Sequence, residues 1–398
     1  MRIALVVQRY GLDVMGGSEL HARLLAEHLQ PYMQVEVLTT CAKDMLTWQD
    51  HYPPGTQQIN GITVHRFPVR QPRDVARFTQ LSSKVFDRQY DGQFEGQADY
   101  FEQIEWMRRQ GPDCPALLQY IRDNRSHYDL FVFMTYLYAN TFIGLQLVPE
   151  KSILISTSHD EPPIYLDLFR STFALPRGII FNTADERDFV HQRFGNAHIP
   201  HTVLGVGIET PDIPNTAVTE TDYLLYMGRV DPSKGSDKLF DYFLAYKRQT
   251  QDPVKLVLVG TPLMPIPNHP DIVALGYLPG DERFAWLQKA SVYVHPSPYE
   301  SLSMSTLEAW SLGVPVLVNG QAAPLKAHIQ RSNGGFYFLS QDEFLAHLRR
   351  LRAESALRAE MGARGRAYVQ EFYEWRKITE GHIAFFKQMY RAVAAPSH

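Results

Sequence analysis

The sequence is short of cysteine: 398 residues carry only Cys41 and Cys114. Two thiols can close at most one bridge, and neither lies in a CxxC or metal-ligand spacing. That excludes a disulfide-framed secreted scaffold, and the pair reads as reduced thiols of a cytoplasmic protein. No apolar run approaches the ~18–20 residues of a membrane span. The opening stretch Met1–Val7 is too short for a signal peptide and has no cleavage site, so it reads as a buried first strand. Charge of one sign is not in excess either. Lys and Arg number 39 against 43 Asp and Glu, a formal net charge of −4, which offers no field to hold nucleic acid. No G-x-G-x-x-G follows a first strand, which argues against a dinucleotide-dependent oxidoreductase. No convincing loop carries a DxD-like metal pair. With 44% apolar and 21% charged residues, the composition is globular and excludes a disordered chain, a fibre and a coiled coil.

What is present is an alternation of strand-like and helix-like segments. Short apolar runs at Ile3–Gln8, Val35–Thr39, Asp129–Met134, Ser152–Thr157 and Gly178–Asn182 have the length of buried strands. Asn60-Gly61 is a hairpin turn before Ile62–Phe67, and Glu19–Leu29 has helical spacing after the glycines of Met15-Gly16-Gly17-Ser18. A second series repeats the pattern, with strands at Tyr223–Met227, Val254–Val259, Ile272–Leu275, Val292–His295, Val314–Val318 and Phe336–Phe338. Its helices are expected at Asp237–Lys247, Glu282–Lys289, Ser305–Leu312 and Gln341–Arg352. The Pro- and Thr-containing stretch 210–221 between the two series is the best domain linker. Buried strands alternating with helices imply an α/β fold of two Rossmann-like, doubly wound parallel-sheet domains. Their ligands are expected beyond the carboxyl ends of the strands, in the cleft between the domains. The boundaries predicted are 1–208 for the first domain and 209–378 for the second. A final helix from about 379 to 398 is expected to pack back on the first domain through Ile383, Phe386, Met389 and Tyr390, with Trp375 marking the crossing.

Two segments carry chemistry. Gly228-Arg229-Val230-Asp231-Pro232-Ser233-Lys234-Gly235 joins a strand to a helix, where backbone N–H groups and the positive helix end gather, and it adds two cations. A solvated loop with ordinary surface charges is the plain alternative. His295–Ala309 runs from a strand end through a Pro-broken loop into a helix, with Glu300 in the loop and Glu308 about a turn inside. Carboxylates accept hydrogen bonds from vicinal hydroxyls and backbone N–H groups bind phosphate, so a ligand with both would fit. A capping arrangement, with Ser303 or Ser305 as N-cap and Glu308 on a solvated face, is the structural alternative.

The Glu300–Glu308 pair, with Leu307-Glu308-Ala309-Trp310 and Gly313-Val314-Pro315-Val316, resembles the signature of glycosyltransferase family 4, retaining nucleotide-sugar-dependent enzymes of the GT-B fold. Gly16-Gly17-Ser18-Glu19, Asn60-Gly61-Ile62, Gly228-Arg229 with Lys234-Gly235, Leu275-Gly276-Tyr277 and Phe372-Tyr373-Glu374-Trp375 agree in order. Ser301-Leu302-Ser303 departs from the Gly-Phe-Gly often found there. The resemblance implies that Arg229 and Lys234 bind the donor diphosphate, Glu300 the transferred sugar and Glu308 the ribose. It further implies that the backbone of Ser303, Met304 and Ser305 holds phosphate and sugar oxygens, and that Tyr277 and Leu278 border the base. Gly16 and Gly17 would bring the first domain's loop against the donor. The family's histidine after the strand Asp129–Met134 is missing here, where Thr135-Tyr136-Leu137-Tyr138 stands. His159 with Asp160, at the next strand end, is the candidate for the acceptor side, while Glu186 is assigned a structural role.

The activity so implied is a hexosyl-type transfer from a nucleotide-sugar donor to a glycan or other hydroxyl acceptor, as in bacterial surface-polysaccharide synthesis. No cofactor or essential metal is expected. A sugar phosphorylase, an epimerase or a non-catalytic nucleotide-sugar-binding module are the rivals. The cations Arg66, Arg70, Arg73, Arg77, Lys84 and Arg88 in segment 66–88 suggest a basic face for peripheral contact with the inner face of a membrane, against the plainer reading of a solvated helix.

Overall fold

The computed structural model describes residues 1–14, 16–86, 98–210, 213, 218, 220 and 222–394. Arg88 and Asp87 of the basic segment, Met15, and most of the linker 210–221 lie outside the described residues. The chain divides into two units, Met1–Val206 with Ile378–His398, and Gly207–Lys377.

The first unit runs β1 (Arg2–Val6), α1 (Gly17–Leu29), β2 (Gln34–Thr40), β3 (Gly55–Ile59), β4 (Ile62–Phe67), α2 (Val75–Phe86), α3 (Tyr100–Gln110), α4 (Pro115–Asp123) and β5 (Leu130–Met134). It continues with α5 (Ala139–Leu147), β6 (Ser152–Ile155), α6 (Phe169–Ala174), β7 (Gly178–Phe181), α7 (Ala184–Phe194) and β8 (His201–Val203). Its sheet order is β3-β4-β2-β1-β5-β6-β7-β8. Strands such as Leu-Phe-Val-Phe-Met of β5 are buried throughout, as a parallel strand covered on both faces must be. Among the described strands, β3 alone pairs antiparallel, with Ile59 opposite Ile62. Asn60 (φ 49°) and Gly61 (φ 79°) supply the two left-handed residues that this hairpin turn needs.

The second unit runs β9 (Tyr223–Met227), α8 (Ser236–Gln249), β10 (Lys255–Val259), β11 (Ile272–Gly276), α9 (Gly280–Lys289), β12 (Val292–His295), α10 (Met304–Ser311), β13 (Val316–Asn319), α11 (Ala323–Ser332), β14 (Gly335–Phe338), α12 (Gln341–Ala353) and α13 (Ser355–Phe372). Its parallel sheet is ordered β11-β10-β9-β12-β13-β14. The reversal of direction lies between β9 and β12, where ligands of open α/β sheets collect. A core of Leu224, Tyr226, Phe243, Leu256, Val294 and Leu348 lies under its helices.

The last helix, α14 (Trp375–Ala394), leaves the second unit at Lys377 and continues in the first. Gly178 faces Phe385 and Met389, and Arg177 Nε donates to the Met389 carbonyl at 3.3 Å. Its buried residues include Trp375, Ile378, Thr379, His382, Phe385, Phe386 and Met389. Ile383 is only half-buried and Tyr390 is exposed, so the apolar stripe is rotated toward His382 and Phe385 relative to the expected one.

His382 is fully buried beside His21 of α1, and burial pushes the two rings down to about 4 and about 3. Both rings stay neutral in the folded chain, whereas unfolding lets them protonate near pH 6.5. Their contribution is therefore intact above pH 6.5 and is lost as pH falls toward 4, at up to ~1.4 kcal/mol per pH unit for each ring. Glu186, raised by burial to about 7, acts in the opposite sense, losing stability as pH rises from 4.5 to 7, but it is one group against these two and His328, which burial also holds down to about 4. The unfolding midpoint of His382→Gln, followed from pH 7 to pH 4.5, is expected to fall less steeply than that of the parent chain. Parallel slopes would remove the histidine pair as the cause.

Candidate active site

In the second unit, the sequence motifs meet at the carboxyl ends of β9, β10 and β12. Gly228 and Gly260 follow β9 and β10 with φ of 152° and 144°. The strand ends press together there: Gly228 N–H donates to the Val259 carbonyl at 2.9 Å, and a Cβ on Gly260 would overlap the Gly228 carbonyl. Arg229, next in the chain, is 39% exposed and has its Nε 3.5 Å from Asp231 Oδ2. Its backbone carbonyl accepts from Tyr226 Oη at 2.6 Å, which anchors the loop while the guanidinium remains outside the core.

Lys234 Nζ donates to Glu300 Oε1 at 2.8 Å, although 66 residues separate them. The same oxygen receives His295 Nε2 at 3.0 Å. His295 Nδ1 lies 3.1 Å from Tyr293 Oη, which donates to Ser305 Oγ at 2.7 Å. A continuous polar chain thus runs from Lys234 through Glu300, His295 and Tyr293 to the start of α10. Because the ionised Glu300 must accept, His295 donates to it from Nε2. Burial alone would raise the Glu300 carboxyl, but the Lys234 charge and the His295 hydrogen bond outweigh it and hold the group well below the usual carboxylate range. Glu300, with a side chain only 14% exposed, is an ionised acceptor, and both donors converge on one of its two oxygens.

Glu308 accepts two parallel bonds from Arg283 of α9, Nη1 to Oε2 at 2.7 Å and Nη2 to Oε1 at 2.9 Å. The structural alternative, with Glu308 on a solvated helix face, is therefore incorrect: it is buried and paired. The capping alternative fails as well. Ser303 occupies the N-cap position of α10 without a side-chain cap, at φ 68° and ψ 80°. Its Oγ lies 2.9 Å from Thr306 Oγ1 instead. A serine in this left-handed conformation stands where the resembled family often has glycine, the residue that adopts it without strain. Thr306 and Leu307 N–H close on the Ser303 carbonyl, which leaves the Met304 and Ser305 amides at the helix mouth outside the intrahelical ladder. Tyr277, 55% exposed, and half-buried Leu278 follow β11. Tyr277 is near enough to Arg283 to influence it electrostatically.

Arg283 and His295 were not among the site residues expected from the sequence. His295 had a signal, a titratable residue closing a buried strand five positions before Glu300. Arg283 had none beyond a basic residue early in a helix. Trp310, in the motif after Glu308, is structural: its Nε1 donates to the Gly334 carbonyl at 2.8 Å, and its ring packs on Gly365.

Gly16, Gly17, His159 and Asp160 belong to the first unit. Gly16 (φ 148°) is required by an internal contact, since a Cβ there would overlap the carboxylate of Glu19. Glu19 Oε1 accepts from Arg9 Nε at 2.9 Å and Gln8 Nε2 at 2.9 Å, a buried ion pair at the end of β1. A Cβ on Gly17 would meet nothing within 4 Å. His159 Nδ1 lies 3.4 Å from Glu161 Oε1, which accepts from buried Tyr136 Oη at 2.7 Å. Asp160 accepts from Tyr165 Oη at 2.6 Å. Thr135 (φ 60°) and Thr157 (φ 50°) take left-handed conformations at the neighbouring ends of β5 and β6, the kind of strain that clusters at functional sites. Glu186 accepts from Ser158 N–H at 2.5 Å and Asn182 N–H at 2.6 Å, tying the ends of β6 and β7.

Among the described residues of the basic segment 66–88, four of the cations are drawn into partners of their own. Arg66, 2% exposed, donates to the Tyr10 carbonyl at 2.6 Å and lies over the Tyr52 ring. Arg73 stacks on Trp48 and Phe78 and donates to the Arg109 carbonyl. Arg70 pairs with Asp113, and Lys84 with Glu102. Among the described residues, no helix is long and apolar enough to cross a membrane, and no group of three or more His, Cys, Asp or Glu is suited to hold a metal ion.

The fold is GT-B. Sucrose-phosphate synthase from Thermosynechococcus elongatus aligns with a TM-score of 0.72 at 16% identity, over 98% of this chain and 99% of that one. The Anabaena protein HepE, solved in complex with UDP and glucose, aligns at 0.68 with 16% identity, over 98% and 100%. Residues 221–354 match the sequence model of the family Glycosyl transferases group 1, in agreement with the resemblance carried by the Glu300–Glu308 motif. Phosphatidyl-myo-inositol mannosyltransferase of Propionibacterium freudenreichii subsp. shermanii is 26% identical over 276 residues, 62% of this chain and 67% of its own length.

Proposed function

We propose that the protein is a retaining glycosyltransferase that moves a sugar from a nucleotide-diphosphate donor to an acceptor hydroxyl. The carrying observation is the convergence of Lys234 and His295 on one oxygen of Glu300, beside the amides of α10. With Oε1 engaged, Oε2 of an ionised Glu300 can accept from hydroxyls of the transferred sugar. Negative charge grows on the diphosphate as the sugar leaves, and Arg229, Lys234 and the Met304–Ser305 amides supply the countercharge. Lys234 has three N–H donors and can keep Glu300 while meeting phosphate. This reading needs no essential metal. That the neighbour HepE was solved with UDP and glucose supports a nucleotide-sugar donor, and the mannosyltransferase relative supports a hexosyl group. A glycan of bacterial surface polysaccharide is the acceptor class proposed.

The two glutamates separate sugar from nucleotide. Glu300→Ala is expected to weaken the nucleotide sugar while leaving the bare nucleoside diphosphate nearly unchanged. Glu308→Gln is expected to weaken both alike, by about tenfold for one or two charge-assisted bonds. Calorimetric titration of each variant with both ligands decides, and equal losses of the bare nucleotide in the two variants would refute the division of roles.

On the acceptor side, the proposed residues are His159, oriented by Glu161, and Asp160. His159→Ala is expected to slow transfer far more than it weakens donor binding. Unchanged turnover with a competent acceptor would leave His159 a structural residue.

A further inference from the structure

We propose that Arg283 is a positioning residue for nucleotide recognition, acting through Glu308 and setting the plane in which that carboxylate meets the ribose. The inference rests on the reading of Glu308 as the ribose ligand and names the residue that makes that role work.

The geometry is a fork on a fork. Two parallel bonds of 2.7 and 2.9 Å join the guanidinium to the two carboxylate oxygens, and the guanidinium carbon lies 4.1 Å from the Phe284 ring centroid. The side chains are 24% and 8% exposed for Arg283 and Glu308. Rotation about the last bond of a glutamate is broad and roughly two-fold, so a carboxylate without such a partner does not hold one plane. The fork removes that freedom, yet each oxygen keeps a second lone pair for a hydroxyl. The guanidinium also stays protonated at every working pH, so it remains a donor to both oxygens. Without it, a carboxylate only 8% exposed would be a solitary charge, and turning away toward solvent would spoil diol recognition. Lysine cannot substitute, because a point charge does not fix a plane.

Placement adds a second consequence. Arg283 lies in the first turn of α9, directly after the loop that carries Tyr277 and Leu278, while Glu308 is on α10, whose first amides face the helix mouth. The pair therefore ties the segment proposed to border the base to the helix proposed to hold ribose and phosphate.

The test uses the full chain and three probes: the nucleoside diphosphate that binds best among UDP, GDP and ADP, its 2′,3′-dideoxy counterpart, and inorganic pyrophosphate. The parent chain is expected to prefer the ribo form. Arg283→Ala is expected to lower affinity for the ribo form about tenfold, the scale of a lost charge-assisted contact, with the dideoxy form and pyrophosphate unchanged. Arg283→Lys, which keeps charge and stem, is expected to recover little of the ribo preference. In a Glu308→Gln background, Arg283→Ala is expected to add no further loss, as for a residue acting only through its partner. Equal losses of ribo and dideoxy forms, or a ribo preference that survives Arg283→Lys intact, would overturn the proposal. If the parent chain binds no nucleoside diphosphate more tightly than pyrophosphate, the nucleotide reading itself fails, and that result is separate from any behaviour of the variants.

Discussion

Replacing Lys234 with alanine is expected to weaken nucleoside-diphosphate binding by more than tenfold and to lower turnover with it. A charge-assisted contact contributes roughly 1.5–3 kcal/mol, and Lys234 makes one to Glu300 and is proposed to make another to phosphate. The loss has two parts. The diphosphate loses a cation, and Glu300 keeps only His295 while still buried. Arg229→Ala is expected to have the smaller effect of the two, because Arg229 is 39% exposed and lies in more screening water. Titrations at low and high salt with steady-state kinetics on both variants check this. Undiminished nucleotide affinity in Lys234→Ala would refute the proposed phosphate role.

The largest effect on stability is expected from Gly260→Ala. The residue has φ 144°, and its added methyl would overlap the Gly228 carbonyl oxygen at the end of the neighbouring strand. Overpacking costs about 1–3 kcal/mol and a disfavoured backbone conformation about 1–3 kcal/mol more. The obstacle is not a flexible side chain that can move aside, since it is the main chain of Gly228 at the end of the adjoining parallel strand. Gly280→Ala, where a Cβ would meet nothing within 4 Å, is the control. Thermal unfolding of the two variants should separate them clearly, and near-equal midpoints would mean that β9 and β10 can spread apart. Because Arg229 follows Gly228 directly, a spread large enough to rescue stability should also disturb nucleotide binding.

Most strands were legible in the amino-acid order because a strand covered on both faces is a short apolar run with punctuation at each end. Tyr223–Met227 and Val292–His295 match their structural bounds, and the hairpin at Asn60-Gly61 follows from two residues that tolerate positive φ. The motif from His295 to Ala309 was legible too, since its loop and helix are local in sequence. α13 was not. Its interior Gly362 and Gly365 look like helix breakers, and their purpose lies outside the helix: Gly362 packs against the Gly313 carbonyl and Gly365 against the Trp310 ring.

Tertiary packing decided the charges. From sequence, Arg66 and Arg73 belong to a basic surface; in the fold they are drawn inward, because aromatic faces and main-chain carbonyls compensate them there. For Glu308 the sequence leaves a wet helix face as an alternative to a ribose ligand, and that alternative goes only when α9 brings Arg283 against it from 25 positions away. Lys234 and Glu300, 66 positions apart, become one polar unit only because β9 and β12 are neighbours in the sheet. Backbone periodicity is a local property and is written in order along the chain. A charged group takes its meaning from the partner that desolvates or pairs with it, and strand order, not sequence order, chooses that partner.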